Sequence, residues 1–159
     1  MGILGTAYHM NSKHVVFVIL IFLMLAFFVP VVQAENSQGK VALIAASSSI
    51  VEEMRLMDIR RLFLGFKSVD STSVKNPVLN IQSKSLYDDF MKNIMHMTEG
   101  SYKRKIIKGI FRQGRKEIQE VTSLEELNNH LLKNTGDVSF ATVSSIEKME
   151  NIKVIQILW

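Results

Sequence analysis

The feature that most constrains the fold is a run of six apolar residues, Val41 to Ala46, with a polar residue on either side. A run this short and continuous is typical of a strand buried on both faces, because a strand with one face in water would alternate apolar and polar residues. A strand of that kind needs helices above and below its sheet. The sequence therefore predicts an α/β domain built around this strand.

Further strands and helices follow in alternation. Short apolar stretches at residues 78–81, 138–143 and 152–158 predict three more strands. Between them, amphipathic spacing and helix-ending residues predict helices, which begin near residues 56, 85, 98, 124 and 144. The predicted order is β-α-β-α-α-α-β-α-β, which favours a sheet covered by helices.

Several of these helices have predictable ends. The first predicted helix has Ile59, Leu62 and Phe63 on one buried face. It ends at Gly65, because glycine adopts a left-handed conformation without steric cost. Ser85 is predicted to cap the second helix, with Asp88 as its capping partner. The third helix runs from a Thr98 cap to Gly114, and its predicted apolar stripe is Tyr102, Ile106, Ile107, Ile110 and Phe111.

The start of the chain has the layout of a secretory signal peptide. Lys13 precedes an unbroken apolar run at residues 15–28, and a small-residue cleavage site follows at Ala34. The run is short for a membrane span, so we expect cleavage after Ala34 and no stable membrane anchor afterwards; an uncleaved anchor is the alternative. Residues 1–34 would then be the signal peptide and residues 35–159 the mature domain, which is periplasmic or secreted.

Composition limits what that mature domain can do. It has no cysteine, which excludes disulfides and thiolate metal sites. Eighteen of the 19 lysines and arginines and all 15 acidic residues follow residue 34, which leaves a net charge of +3. That charge is mild for an exported domain, so we predict no nucleic-acid partner.

Several segments, taken in order, resemble one protein family. Residues 54–65, ending in Leu-Phe-Leu-Gly, resemble a helix of the phosphate-binding proteins of ABC transporters that ends in Ile-Phe-x-Gly. Residues 102–114 resemble that family's Tyr-Trp-x-x-x-x-Phe-x-Gly helix end, and residues 135–141 resemble its Pro-Gly-Ala-Ile-Gly-Tyr-Val turn and strand. The collinear order of these segments carries the resemblance. The resemblance covers nearly all of residues 41–158. The proteins that this chain resembles are the small, single-lobe members of the type 2 periplasmic binding protein superfamily.

The resemblance implies both a fold and a ligand. The fold would be a single-lobe type 2 periplasmic-binding-protein-like domain, with a mixed central sheet flanked by helices. The ligand would be phosphate or a similar small anion, bound by hydroxyl groups and by the unpaired N–H groups at helix starts. The matching positions are Ser47 and Ser48 after the first strand, and Ser83 and Ser85 at a helix start. The alternative for the first pair is a polar turn, and for the second pair it is helix capping.

The sequence departs from the family where an arginine should bind the anion. The family's Arg-x-x-Gly-Ser-Gly-Thr motif is replaced here, with Asn80-Ile81-Gln82 in place of the arginine and with the threonine and both glycines missing. A chain of this length also has no room for a second full lobe. Water would therefore surround a bound anion, which predicts weak and salt-sensitive binding.

A basic face on the third helix is the other candidate site. The residues predicted to contact a partner are Lys103, Arg104, Lys108 and Arg112. A solvated outer face is the alternative interpretation. A docking role would need an acidic partner or anionic lipid headgroups.

We predict neither an enzyme nor a metal or cofactor site. His96 and His130 lack partners at ligand spacing, and adjacent acidic residues such as Asp88 and Asp89 do not face each other on a helix. Two functions stay open. The first is a solute-binding-like protein resembling the phosphate-binding component of ABC transporters. The second is an interaction or signalling module that docks a membrane sensor, a transporter or an envelope complex.

Overall fold

In the computed structural model, the chain is described over residues 39–66 and 74–159. The predicted signal peptide and most of the predicted loop after Phe66 lie outside the described residues. β3 and the π-helical turn were not predicted, α2 begins slightly earlier than predicted, and the other helices and strands appear close to where the sequence placed them. The elements, in chain order, are β1 (Val41–Ala46), α1 (Leu56–Leu62), β2 (Val78–Asn80), α2 (Lys84–Phe90) continuing into a π-helical turn (Met91–Met95), α3 (Glu99–Gln113), β3 (Gln119–Val121), α4 (Leu124–Lys133), β4 (Ser139–Thr142), α5 (Val143–Ile146) and β5 (Ile152–Ile157).

β1 is the middle strand of a three-stranded antiparallel sheet with the order β4-β1-β5. Ile44 lies opposite Ser139 of β4, and Ala46 lies opposite Ile152 of β5. All six residues of β1 are buried, which confirms the prediction of a strand covered on both faces. Alternate side chains of a strand point in opposite directions, so β1 contributes to two apolar cores.

Helices cover both faces of this sheet. On one face, the rings of Phe90 and Phe140 stack with centroids 3.8 Å apart, and Phe63 meets them edge-on at 4.9 Å and 5.9 Å. On the other face, Leu127 and Leu131 of α4 pack against β1. The structure is therefore an α/β domain with a sheet flanked by helices, as predicted.

β2 and β3 form a parallel pair beside β4, which makes the arrangement of strands mixed. Asn80 of β2 lies opposite Val121 of β3. On the other side of β2, the N–H of Val78 donates to the carbonyl of Val138 at 2.8 Å, and the hydroxyl of Ser139 donates to the carbonyl of Val78 at 2.8 Å. β2 runs in the same direction as β4. The strands β3, β2 and β4 therefore end at one edge of the sheet, and β1 ends at the opposite edge.

The helix after β2 begins earlier than predicted. Ser83 is the N-cap of α2, and its Oγ accepts a hydrogen bond from the N–H of Leu86 at 3.4 Å. Ser85 lies inside the first turn, and Asp88 pairs with Lys84 instead of completing a capping box. The prediction of Ser85 as the cap was wrong because two serines precede the apolar face and spacing alone does not fix which one starts the helix.

The predicted glycine helix ends are confirmed. Gly65 and Gly114 both have positive φ values, 77° and 60°, in the left-handed region that glycine adopts easily. Thr98 caps α3, as predicted, and accepts the N–H of Ser101. These residues therefore set where α1 and α3 stop and where α3 begins.

The apolar stripe predicted on α3 is only partly buried. Tyr102 is buried and Ile106 packs against the core, but Ile107 is 53% exposed and Phe111 is 85% exposed. Successive helical residues lie about 100° apart, so these two side chains point past the contact with the core and into solvent. Within residues 39–66 and 74–159, no helix combines the length and the apolar character needed to cross a membrane.

Candidate functional site

Three helices begin where three neighbouring strands end. α2 follows β2, α4 follows β3 and α5 follows β4, all at one edge of the sheet. The N-caps are Ser83, Ser123 and Thr142, and the side-chain oxygen of each accepts a backbone N–H from the first turn of its helix. We call this region the hydroxyl edge, and its residues are Ser83, Ser85, Thr122, Ser123, Thr142, Ser144 and Ser145.

Asn80 holds the turn that carries the predicted ligand serines. It is 1% exposed, its Nδ2 donates to the carbonyl of Phe140 at 3.0 Å, and its Oδ1 accepts the N–H of Gln82 at 3.1 Å. The hydroxyl oxygens of Ser83 and Ser85 lie 3.0 Å apart. Ser83 is half-buried and caps the helix, so Ser85 is the more accessible of the two hydroxyls.

The start of α5 places a second group of hydroxyls at this edge. Thr142 Oγ1 donates to Ser145 Oγ at 2.8 Å and lies 3.2 Å from Ser144 Oγ. Thr122 adds a hydroxyl at the start of α4, where it donates to Glu126 at 3.2 Å. The sequence alone did not predict that these residues belong to a site. The sequence does show that each capping residue follows a strand. Only the order of the strands in the folded sheet shows that the caps are neighbours.

Ser47 and Ser48 lie at the opposite edge of the sheet. β1 is antiparallel to β4, so the turn after β1 falls beside the start of β4. Both serines are exposed, and the N–H of Ser47 donates to the carbonyl of Asn151 at 2.8 Å. The four predicted ligand serines therefore form two separated pairs, and only Ser83 and Ser85 belong to the hydroxyl edge.

Acidic neighbours neutralise the lysine beside Ser83. Lys84 Nζ lies 2.5 Å from Asp88 Oδ1 and 3.2 Å from Glu99 Oε2. The hydrogen bond to Asp88, followed by that to Glu99, raises the pKa of Lys84, and hydrogen bonds from Lys103 and then Lys84 lower the pKa of Glu99. The groups that this part of the edge offers an anion are therefore hydroxyls and backbone N–H groups.

The predicted basic face lies on the solvent side of α3. Lys103 pairs with Glu99 at 2.6 Å, and Arg104 donates to Ser101 Oγ at 3.1 Å. Lys108 and Arg112 are exposed. Their placement is compatible with docking, and the docking role itself stays a prediction.

His130 contacts Asp137, a pairing that the sequence did not predict. Its Nε2 lies 2.9 Å from Asp137 Oδ2, and Asp137 Oδ1 accepts the N–H of Asn76 at 3.1 Å. Asp137 is buried, so this bridge fixes the end of α4 to the segment before β2. In the described part of the chain, no group of three or more histidine, aspartate or glutamate residues is arranged to hold a metal ion.

A solved structure shares this arrangement of helices and strands. The crystal structure of an ABC-type phosphate transport receptor from Vibrio cholerae matches 74% of this chain with a TM-score of 0.52 and 16% sequence identity. The fold is periplasmic-binding-protein-like. At a sequence identity this low, the structural likeness shows the fold of the domain alone and leaves its ligand open.

This periplasmic-binding-protein-like domain is smaller than the receptor. The match spans 46% of the receptor's length, so about half of that protein has no counterpart here. No protein-family model matches the chain, and neither does any curated protein sequence.

Proposed function

We propose that the domain is a secreted or periplasmic solute-binding-like protein that binds a small oxyanion, phosphate or one of similar shape, at the hydroxyl edge. The observation that carries this proposal is the meeting of three capped helix N-termini at one edge of the sheet. N–H groups and the positive ends of helix dipoles attract an anion, and neighbouring hydroxyls donate hydrogen bonds to it. The likeness of the fold to a phosphate transport receptor supports the same class of ligand.

We expect the affinity to be low. Asn80-Ile81-Gln82 stands where the family that the chain resembles has an arginine, and Lys84 is already paired with two carboxylates. An anion at an open edge stays in contact with water, where a charge pair at 4 Å contributes only about 1 kcal/mol. A dissociation constant near millimolar corresponds to about 4 kcal/mol, which a few hydrogen bonds can supply. Added salt should compete with the anion.

Thermal unfolding and calorimetry with inorganic phosphate, and with sulfate for comparison, test this proposal. The variants Ser85→Ala and Ser144→Ala each remove an exposed hydroxyl of the hydroxyl edge, and Ser48→Ala is the matched control from the opposite edge. Phosphate should raise the Tm of the parent protein and of the control by mass action, and the rise should shrink in the two edge variants. A Tm that does not change even at phosphate concentrations of tens of millimolar, well above the expected dissociation constant, would refute oxyanion binding.

We also propose that the chain is exported and cleaved after Ala34, and that it works beside a membrane transporter. The apolar run at residues 15–28 and the small residues before Glu35 support export. The intact mass of the protein recovered from the cell envelope tests cleavage. We expect the mass of residues 35–159, and recovery of the uncleaved chain with the membranes would favour an anchor.

An interaction module of the cell envelope is the second candidate function, and it depends on different residues. It is favoured by Ile107 and Phe111, two large apolar side chains that stand exposed on the basic face of α3. A binding-protein lobe of this kind could serve as a docking scaffold without any solute. Reversing Lys103, Arg104 and Lys108 to glutamate should then release the protein from envelope fractions, and unchanged association would contradict a docking role.

A further inference from the structure

We infer that the outer face of α3 docks on the surface of an anionic phospholipid bilayer, with Phe111 and Ile107 entering the headgroup layer. The inference rests on the second candidate function and is independent of oxyanion binding at the hydroxyl edge. Phe111 is the most exposed large apolar residue in the described part of the chain. An aromatic ring in this position stays in water unless something covers it.

Cationic side chains surround this apolar pair. Residues three and four apart are neighbours on a helix surface, so Phe111 lies beside Ile107 and Lys108, and Ile107 lies beside Lys103 and Arg104. Arg104 donates a hydrogen bond to a neutral partner, a serine of its own helix. The outer face of α3 therefore has an apolar centre, with long basic side chains on both sides of it.

Most of these cations are not neutralised by the residues that the structure describes. Lys103 pairs with Glu99. In residues 39–66 and 74–159, no carboxylate lies within ion-pair distance of the other basic residues on this helix, which are Arg104, Lys105, Lys108 and Arg112. The face thus carries net positive charge that an anionic surface can neutralise.

A small cationic cavity opens beside the face. Its volume is about 270 Å³, it is lined by Lys105, Lys108 and Arg115, and none of its described lining residues is a carboxylate. Arg115 is held in place, because its guanidinium lies 3.5 Å from the ring centroid of Phe66 and donates to the carbonyl of Leu64 at 2.9 Å. Three cations converging on one cavity suit the phosphodiester of a lipid headgroup.

A bilayer suits this face better than a folded protein does. Helices that lie at membrane surfaces pair lysine and arginine with phenylalanine, leucine or tryptophan in this way. A protein partner would need an apolar pocket and acidic groups placed to match both Phe111 and its cationic neighbours. An anionic bilayer offers apolar depth and negative charge over its whole surface. The predicted export leader would also bring the chain to a membrane.

Tryptophan fluorescence from position 111 tests the inference on the full chain. Trp159 is the single tryptophan of the sequence, so Phe111→Trp in a Trp159→Phe background puts the only indole on this face. Vesicles of phosphatidylcholine with phosphatidylglycerol should shift its emission to the blue, and pure phosphatidylcholine vesicles should not. The signal reports the depth of residue 111 itself, so tethering of the chain through residues 15–28 does not produce it.

Two matched charge reversals complete the test. Lys108→Glu with Arg112→Glu should weaken binding to anionic vesicles at least about tenfold, since each cation near such a surface contributes about fivefold. Lys133→Glu with Lys148→Glu makes the same change in net charge at exposed lysines elsewhere, and binding should persist. Circular dichroism confirms the fold of each variant.

Three outcomes would overturn the inference. The first is a blue shift of equal size with neutral and anionic vesicles, and the second is loss of binding in both charge-reversed variants. The third is the absence of a blue shift with either kind of vesicle, which would leave the face to a protein partner.

Discussion

Replacing Asn80 by alanine should destabilise the domain by about 2–4 kcal/mol. The side chain is buried and makes two hydrogen bonds, to the carbonyl of Phe140 and to the N–H of Gln82. A buried polar group left without a partner costs about 1–3 kcal/mol. We assign most of that cost to the Phe140 carbonyl, which lies in the core, and less to Gln82, which is exposed and can turn to water. The small cavity left by the missing amide adds to the total.

Urea unfolding followed by circular dichroism measures this loss. In a domain of this size each kcal/mol lowers the Tm by about 4 °C, so Asn80→Ala should unfold roughly 8–16 °C below the parent. Asn80→Asp keeps the acceptor for Gln82 but sets a carboxylate oxygen against the Phe140 carbonyl in a buried site, so it should destabilise the domain more than Asn80→Ala does. Asn129→Ala, at an exposed site in α4, is the control and should be neutral or slightly stabilising. A loss below about 1 kcal/mol in Asn80→Ala would show that the hydrogen bond to Phe140 does not hold β2 to β4 and that the bond to Gln82 does not hold the turn.

Three further predictions follow from the core, a cap and the tyrosines. Phe140→Ala should cost about 3–5 kcal/mol because it removes the ring stacked on Phe90, and Phe111→Ala should stay within about 0.5 kcal/mol; equal losses in chemical denaturation would contradict the burial argument. Ser123→Ala should cost about 1 kcal/mol through the lost N-cap of α4, and an unchanged unfolding midpoint would show that the cap is dispensable. Burial raises the pKa of Tyr87 to about 12 and raises the pKa of Tyr102 as well. Because these pKa values are higher in the folded state, the stability they contribute is complete below pH 10 and is lost as pH rises through the folded values. Unfolding midpoints should therefore stay level up to about pH 10 and fall between about pH 10 and pH 12. Tyr102→Phe should reduce the slope of that fall, and a slope unchanged by the variant would refute the assignment.

The parts of the fold that the sequence predicted are those set by local chemistry. The apolar run of β1 requires burial on both faces wherever it lies, and Gly114 ends α3 because its left-handed backbone suits glycine. β3 was missed because Gln119 and Glu120 are exposed and only Val121 is buried. That strand exists through its pairing with β2, and no periodicity in three residues can show such pairing.

The candidate site was only half predictable for a related reason. Ser83 and Ser85 stood out because they open a helix after a strand. They lie far from Ser47 and Ser48 because β1 and β2 run in opposite directions. Those directions follow from the pairing of each strand with β4, which is antiparallel for β1 and parallel for β2. Strand direction within a sheet is a long-range property, so the sequence could name hydroxyl-bearing turns without showing which of them are neighbours.

The position of β1 between β4 and β5 also dictates when the domain can close during synthesis. One neighbour of β1 is the last strand of the structure, and the N–H of Leu158 donates to the carbonyl of Val41 at 2.8 Å. Lys153 reaches back to the carbonyl of Ser49 across 104 positions of sequence. Contacts this remote slow folding, because the intervening chain must be ordered first. The central strand can therefore be enclosed only after the chain has been synthesised as far as β5, close to the last residue of the sequence.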